Sequence, residues 1–182
     1  MKSRDLIKLL SAETGIPDYS DPARVVWRNS KGQIHRDFGP ATDEAGTRRW
    51  YRNGIMHRED GPAYTGDDGE QAWYLNGEIH REDGPAVVRP DGKQEWWKNG
   101  KRHREDGPAI VHADGRQHWF RNGKLHREDG PAAIHRDGTR EWYRNDKLHR
   151  KDGPAVIRDD GSEEWWINGR YAMPSRWKEA TR

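Results

Sequence analysis

Histidine recurs along the chain in a regular row that first suggests a metal centre. This histidine ladder, with members 23 residues apart, consists of His57, His80, His103, His126 and His149. If each repeat adds two strands to one sheet, equivalent side chains stand roughly 9 to 10 Å apart. Ligands of one zinc ion must each lie about 2.0 Å from it, so ladder members cannot share an ion. We therefore predict no metal site, and expect these histidines to hydrogen-bond to turn backbone or to the Asp of the same motif.

Arginine and aspartate also recur two residues apart, which in a single copy would suggest a catalytic cluster. The pairs are Arg58 with Asp60, Arg81 with Asp83, Arg104 with Asp106, Arg127 with Asp129, and Arg150 with Asp152. An active site needs one constellation in one concave place, whereas a motif copied along a sheet indicates ion pairs that support the Asp-Gly-Pro turn. A calcium site would need a loop dense in oxygen ligands, which the motif lacks. We predict no catalytic residue, no cofactor and no enzymatic activity.

Tryptophan sets the period on which these residues are carried. It recurs every 23 residues, at Trp27, Trp50, Trp73, Trp96, Trp119, Trp142 and Trp165. Most units contain an Asn-Gly pair, the strongest short hairpin signal, because a type I′ turn needs positive φ at both central residues; an Asp-Gly pair marks the return turn. We predict two strands per repeat, such as 117–121 and 124–136, the second broken by Asp-Gly-Pro. The strands would form a meander in which identical side chains stack by translation.

The repeated unit resembles a known repeat family. The segment Trp97-Lys98-Asn99-Gly100-Lys101-Arg102-His103, followed by Asp114-Gly115, is similar to a MORN repeat, and the period matches too. Where MORN repeats carry Gly-x-Gly after the His, this chain has Arg-Glu-Asp-Gly-Pro-Ala, so it looks more like the MORN-variant repeats of bacterial and phage proteins, some of them antitoxin-like. The resemblance covers about residues 23–170. It implies an all-β fold, an elongated and twisted antiparallel sheet of tandem β-hairpins, and is less specific for function, because repeat families are scaffolds for many partners.

Composition and charge narrow the classes of partner. Leu, Ile, Val and Phe together number 23 of the 182 residues, whereas there are ten Trp, so we expect the Trp row to form the core. The net charge of +2 comes from interspersed basic and acidic residues, which disfavours nucleic acid and anionic membranes as partners. The absence of cysteine excludes disulfides and thiolate metal sites. No apolar run is long enough to span a bilayer and no signal peptide is recognised, so we expect a cytoplasmic protein.

Both ends depart from the repeat, which predicts three regions. Residues 1–22 would form an N-terminal helical cap, with Ser3 as N-cap and Gly15 at its end. Residues 23–170 would hold six to seven hairpin repeats, and residues 171–182 a C-terminal cap with a short helix beginning near Pro174. Such caps would protect the outer strands of an open sheet, although a partner-binding role for either end remains an alternative.

Two sets of side chains are candidates for a partner-binding surface. The residue after each repeated Trp points to the opposite face of its strand and defines an aromatic column: Tyr51, Tyr74, Trp97, Phe120, Tyr143 and Trp166. The residue three positions before the Gly of an Asp-Gly turn defines a basic stripe: Arg89, His112, His135 and Arg158. A basic stripe beside exposed aromatics could receive an acidic protein surface or a phosphate-bearing ligand.

These candidates predict a non-catalytic binding module. The leading hypothesis is a protein-binding repeat, of the kind that acts as an antitoxin or as an inhibitor of a host factor in bacteria or phages. The alternative is a small-ligand binder, such as a nucleotide-signal sponge, that stacks bases on the aromatic column and holds phosphate with Arg89 or Arg158. A membrane-associated scaffold is a third and weaker interpretation. A homodimer paired through a sheet edge or a cap is also compatible with the sequence.

Overall fold

The computed structural model describes residues 15–21 and 24–172, and every regular element within them is a β-strand. The chain divides into two compact units, Met1–Pro90 and Asp91–Arg182. The all-β hairpin architecture predicted from the repeat is therefore confirmed for the described ranges. Among these residues no helix is long and apolar enough to cross a membrane.

The first unit contains one antiparallel sheet and two separate hairpins. The sheet runs in the order β1 (Ile16–Asp21), β2 (Arg24–Arg28), β3 (Thr42–Glu44), β4 (Thr47–Arg49), β7 (Tyr64–Thr65), β8 (Gln71–Ala72) and β11 (Val87–Val88). The hairpins are β5 (Tyr51–Arg52) with β6 (Ile55–Met56), and β9 (Tyr74–Leu75) with β10 (Glu78–Ile79). The sheet strands follow one another in chain order, so the predicted meander is confirmed here.

The second unit repeats this plan. Its antiparallel sheet runs in the order β12 (Gln94–Glu95), β15 (Ile110–Val111), β16 (Gln117–His118), β19 (Ala133–Ile134), β20 (Arg140–Glu141), β23 (Val156–Ile157), β24 (Glu163–Ile167) and β25 (Arg170–Ala172). The hairpins are β13 (Trp97–Lys98) with β14 (Lys101–Arg102), β17 (Phe120–Arg121) with β18 (Lys124–Leu125), and β21 (Tyr143–Arg144) with β22 (Lys147–Leu148).

A complete repeat has four short strands, so the prediction of two continuous strands is wrong. The predicted strand 117–121 is interrupted at Trp119, which separates β16 in the sheet from β17 in the small hairpin. Trp119 instead uses its backbone within the repeat: its N–H donates to the Ala132 carbonyl at 2.8 Å, and its carbonyl accepts from His126 N at 3.0 Å. The even strand number still returns the chain in the same direction, which is why equivalent side chains stay in register.

Two turn types alternate along the chain and follow their local sequences. Asn122 and Gly123 have φ of 52° and 82°, as a type I′ turn requires. At the other turn Asp137 accepts a hydrogen bond from Thr139 N at 2.9 Å, which closes an Asx turn before Gly138. The small hairpins also bond to one another: Gly123 N donates to the Arg102 carbonyl at 2.8 Å. Hairpin stacking and sheet pairing together hold successive repeats in register.

The core is formed by small side chains, contrary to the expectation that the Trp row would be buried. The Ala that ends each Gly-Pro-Ala segment is fully inaccessible to solvent, at Ala41, Ala63, Ala86, Ala109, Ala132 and Ala155. Val87, Ile110, Ala133 and Val156 extend this core along the sheets. The repeated Trp residues are only half-buried. A thin sheet-and-hairpin repeat cannot enclose an indole, so Trp covers the core from its edge.

The predicted caps fall largely outside the described residues. Residues 1–14, 22–23 and 173–182 lie outside them, including Ser3 and Pro174 of the predicted helices. Residues 16–21 form strand β1, which pairs with β2 where the sequence predicted part of a helical cap. Gly15 precedes this strand with φ of 79°, and a Cβ there would lie 2.3 Å from the His35 carbonyl oxygen. Close packing on the His35 backbone therefore requires glycine at this position.

Candidate functional site

Each repeated Arg is fixed in place by three contacts. The Arg127 guanidinium lies over the Trp119 ring at 4.2 Å, its Nε is 2.8 Å from Asp129, and its Nη1 donates to the Pro131 carbonyl. The same arrangement recurs at Arg58, Arg81, Arg104 and Arg150. The Arg–Asp pairs predicted to support the Asp-Gly-Pro turn do so, and the stacked guanidinium also covers one face of the indole.

The Gly of the Asp-Gly-Pro turn is required for space. A Cβ at Gly130 would lie 2.8 Å from Arg127 Cζ, and the other repeats have the same close approach. Gly130 does not have a positive φ, so conformational freedom is not the reason for glycine here. The sequence interpretation of this Gly as a bulge residue missed that role.

The histidine ladder is used for hydrogen bonding within the fold, as predicted. His103 Nδ1 accepts a hydrogen bond from Asn122 N at 3.1 Å, so the proton of the neutral ring lies on Nε2. His103 Nε2 faces Glu105 at 3.6 Å. The acidic neighbour is therefore the Glu two residues after the His; the predicted Asp is held instead by the repeated Arg.

Open clefts separate successive Asp-Gly-Pro loops, a feature that the sequence interpretation missed. In the second unit one cleft of about 640 Å³ is lined by Glu105 and Asp106 on one wall and by Glu128 and Asp129 on the other. These carboxylates are 68 to 83% exposed, but Arg121 and the stacked arginines line the same walls. The wall charges are mixed, and the 23-residue recurrence of Glu-Asp was the signal that could have located them.

The aromatic column lies over the sheet, where its members contact carboxylates. In the second unit Trp166 Nε1 donates to Glu164 at 2.8 Å. Burial raises the pKa of Tyr143 to about 12, aided by the charge of Glu141 and a hydrogen bond to it. In the first unit burial and the charge of Glu70 raise the pKa of Tyr74. All six members of the column, from Tyr51 to Trp166, are half-buried, so each leaves part of its ring accessible.

The basic stripe is largely neutralised by carboxylates on the same side of the sheet. Arg89 lies 3.2 Å from Glu70 in the first unit. In the second unit Arg158 forms an ion pair with Glu164, and His135 Nε2 lies 3.1 Å from Glu141. The expectation of a net positive stripe is therefore wrong for three of its four members.

The two predicted sets meet on one face of the second unit. Arg158 pairs with Glu164, and Glu164 accepts from Trp166; likewise His135 faces Glu141, and Glu141 holds Tyr143. A basic side chain, a strand carboxylate and an aromatic ring thus form a chain of contacts in each of these repeats. We call this surface the aromatic face. The sequence interpretation missed the linking carboxylates, although Glu95, Glu141 and Glu164 share one position in the repeat.

One carboxylate of the aromatic face is buried among charges. Glu95 is 2% exposed, with Lys93 Nζ at 2.8 Å and Arg102 Nε at 3.2 Å. Burial alone would raise the pKa of Glu95, but the two cations lower it overall. Arg102 also stacks on Trp97 at 4.8 Å and on Phe120 at 5.6 Å. These contacts order the aromatic column at its first two positions in this unit.

The fourth member of the stripe, His112, lies beside another histidine. At the strand position held elsewhere in the unit by Glu there is His118, whose ring centroid is 5.8 Å from His112 and 6.1 Å from His135. Across residues 15–21 and 24–172, no group of three or more His, Cys, Asp or Glu side chains is arranged to hold a metal ion. The histidines of this cluster are therefore better suited to proton and anion chemistry than to metal binding.

Known proteins provide no further assignment. The chain matches no family model, and a search of characterised proteins finds no significant match. The similarity to MORN-variant repeats consequently stays a resemblance carried by the motif.

Proposed function

We propose that this chain is a non-catalytic repeat protein that binds another protein through the aromatic face. The observation that carries the proposal is the convergence of the aromatic column and the basic stripe on one side of the second unit, joined by Glu141 and Glu164. Half-buried Tyr and Trp rings surrounded by ordered polar groups are the composition of binding hot spots. The rings are held before any partner arrives, which lowers the entropy cost of association.

A protein is favoured over a free nucleotide as the principal partner. Arg89 and Arg158, the residues that the alternative assigns to phosphate, are already paired with Glu70 and Glu164. A phosphate would have to displace a carboxylate from each guanidinium, which costs the existing charge-assisted contact. A protein surface can instead satisfy the aromatic rings and leave these pairs intact. The resemblance to MORN-variant repeats adds the proposal of an elongated sheet and of an antitoxin-like or host-factor-inhibiting role.

Capture experiments with matched variants test this proposal. The immobilised full chain is exposed to extract of its source cell, and saturable retention of a protein is measured for the native chain, for Trp97→Ala and Tyr143→Ala, and for the controls Gln94→Ala and Gln117→Ala. Gln94 and Gln117 precede strand residues of the aromatic face and so lie on the opposite side of the sheet. Melting curves identify any variant that fails to fold.

The proposal predicts that the two aromatic variants lose the retained protein and that both Gln variants keep it. Absence of any saturable protein ligand, or equal retention by all folded variants, contradicts the proposal. A Tyr143→Phe chain, which keeps the ring but not the hydroxyl, separates loss of the aromatic contact from loss of the Glu141 hydrogen bond.

A further inference from the structure

The aromatic face changes its chemistry at one strand. Three repeats of the second unit place Glu immediately before the repeated Trp, at Glu95, Glu141 and Glu164, and each carboxylate lies against at least one basic side chain. The remaining repeat has His118 there. His112, the stripe member of that repeat, consequently faces an imidazole where His135 and Arg158 face carboxylates. One negative charge of the repeating pattern is missing at this place.

His118 joins its neighbours into one cluster of three rings. Its ring makes edge contacts with His112 and His135 at interplanar angles of 72° and 88°. His118 Nδ1 is buried and has no hydrogen-bond partner among the described residues. His135 Nε2, although 3.1 Å from Glu141, is not in hydrogen-bonding geometry with it. The cluster therefore has hydrogen-bonding capacity that the fold itself does not use.

Basic groups around the cluster keep it uncharged near neutral pH. Burial, followed by the neighbouring His112, His135 and Arg116, lowers the pKa of His118. Burial lowers the pKa of His112 as well, followed by Arg116 and Lys93. A proton on one ring opposes a proton on the next, so the cluster charges only when the solution becomes acidic or when an anion compensates.

The carboxylates that face the cluster are mostly committed elsewhere. Glu95 is held by Lys93, and Asp114 by Arg116 at 2.9 Å. Glu141 faces His135 and also holds Tyr143. Three protonated rings would therefore exceed the negative charge of Glu141, and an external anion would find net positive charge.

We infer that His112, His118 and His135 form a proton-gated subsite for a carboxylate or phosphate group, which takes the place of the strand Glu found in the other repeats. The inference deepens the proposed function, because the subsite lies on the aromatic face and names an acidic group as part of what that face binds. A bound anion stabilises the imidazolium form, so proton uptake and anion binding reinforce each other. Binding is consequently strong in acidic solution and weak at neutral pH.

Proton NMR titration of the histidine rings tests the subsite in the full chain. Sodium sulfate represents a phosphate group, with a charge that does not change over the range used, and sodium acetate represents a carboxylate; sodium chloride matches the ionic strength. Sulfate or acetate should bind at least about tenfold more tightly near pH 5.5 than near pH 7.5, since each proton coupled to binding contributes up to about tenfold per pH unit. The His112 and His118 resonances should shift. His103, whose Nδ1 already accepts from Asn122 N, is the internal control.

Two variants of strand β16 separate a local site from general charge. His118→Glu restores the carboxylate of the other repeats and should abolish the sulfate and acetate response. Gln117→Glu adds the same charge to the same strand on its opposite face and should leave the response within about twofold, because solvent screens the added charge. Responses equal to those in chloride, or equal losses in the two variants, overturn the inference.

The inference and the proposed function fail separately. Anion binding that is lost only in His118→Glu supports the subsite even if no protein is captured, whereas capture with no response to either anion removes the subsite and leaves the aromatic face. A response to sulfate alone assigns the subsite to phosphate groups, and a response to acetate alone assigns it to carboxylates.

Discussion

Substitution of one glycine by alanine should change the sign of its effect with the residue three positions earlier. A Cβ at Gly130 would lie 2.8 Å from Arg127 Cζ, so Gly130→Ala must displace the guanidinium from Trp119 and from the Pro131 carbonyl. The backbone itself accepts alanine, because Gly130 does not have a positive φ. All of the cost therefore comes from the Arg127 side chain.

The magnitude follows from the contacts that are lost. A cation–π contact of this kind contributes about 0.5 to 1 kcal/mol. The long hydrogen bond to Pro131 contributes about 0.5 to 1 kcal/mol more. Alanine restricts the unfolded chain and returns about 0.4 to 1 kcal/mol. We expect Gly130→Ala to lower the free energy of unfolding by about 0.5 to 1 kcal/mol in the native chain, and to raise it by about 0.4 to 1 kcal/mol in an Arg127→Ala background.

Urea denaturation of the four chains of this double-mutant cycle measures the effect. Gly138→Ala is the matched control: Gly138 has φ of 89° and no atom within 4 Å of the position that an added Cβ would take, so alanine there should cost about 1 to 2 kcal/mol in both backgrounds. If Gly130→Ala destabilises both backgrounds equally, the close approach to Arg127 does not explain the glycine, and this account of the repeat is refuted.

Two further predictions concern the core and the aromatic face. Ala132→Val should lower the free energy of unfolding by about 1 to 3 kcal/mol, because Ala132 is fully buried, whereas the same change at the exposed Ala113 should stay within about 0.5 kcal/mol; equal effects in urea denaturation would contradict the alanine core. Tyr143 ionises at about 12 in the folded chain and near 10 when unfolded, so its contribution to stability is complete below about pH 10 and is lost as the pH rises to about 12. Glu141→Gln should lower this pKa, as read from the ultraviolet titration difference between each chain and its Tyr143→Phe variant, and an unchanged value would show that Glu141 does not act on the hydroxyl.

The sequence predicts the features that depend on local chemistry. The Asn122-Gly123 turn has the predicted positive φ at both residues, because few other pairs adopt that conformation without strain. The Arg127–Asp129 ion pair and the backbone bond to His103 were also predicted, because recurrence at 23 residues marks them as part of the fold. Turn positions and short-range ion pairs follow from such signals with little knowledge of packing.

Features that depend on packing between non-local residues were predicted less well. The break at Trp119 and the burial of Ala132 arise because the sheet and the small hairpin meet at an angle, which no run of residues reveals. The pairing of Arg158 with Glu164 joins neighbouring strands across a turn, so a stripe that is basic in sequence is compensated in the fold. His118 was noted only as a departure from the ladder, and its significance depends on the two rings beside it.

The most direct test of the aromatic face is the affinity of a captured protein for two neighbouring-repeat variants measured side by side. Tyr143→Ala removes a half-buried ring of the aromatic column, and Gln117→Ala removes a side chain of the opposite sheet face. Binding through the aromatic face predicts a loss of about 2 kcal/mol, or roughly 30-fold in dissociation constant, for Tyr143→Ala, and a change of less than about twofold for Gln117→Ala. Equal losses, or a loss confined to Gln117→Ala, would contradict the assignment of the binding surface.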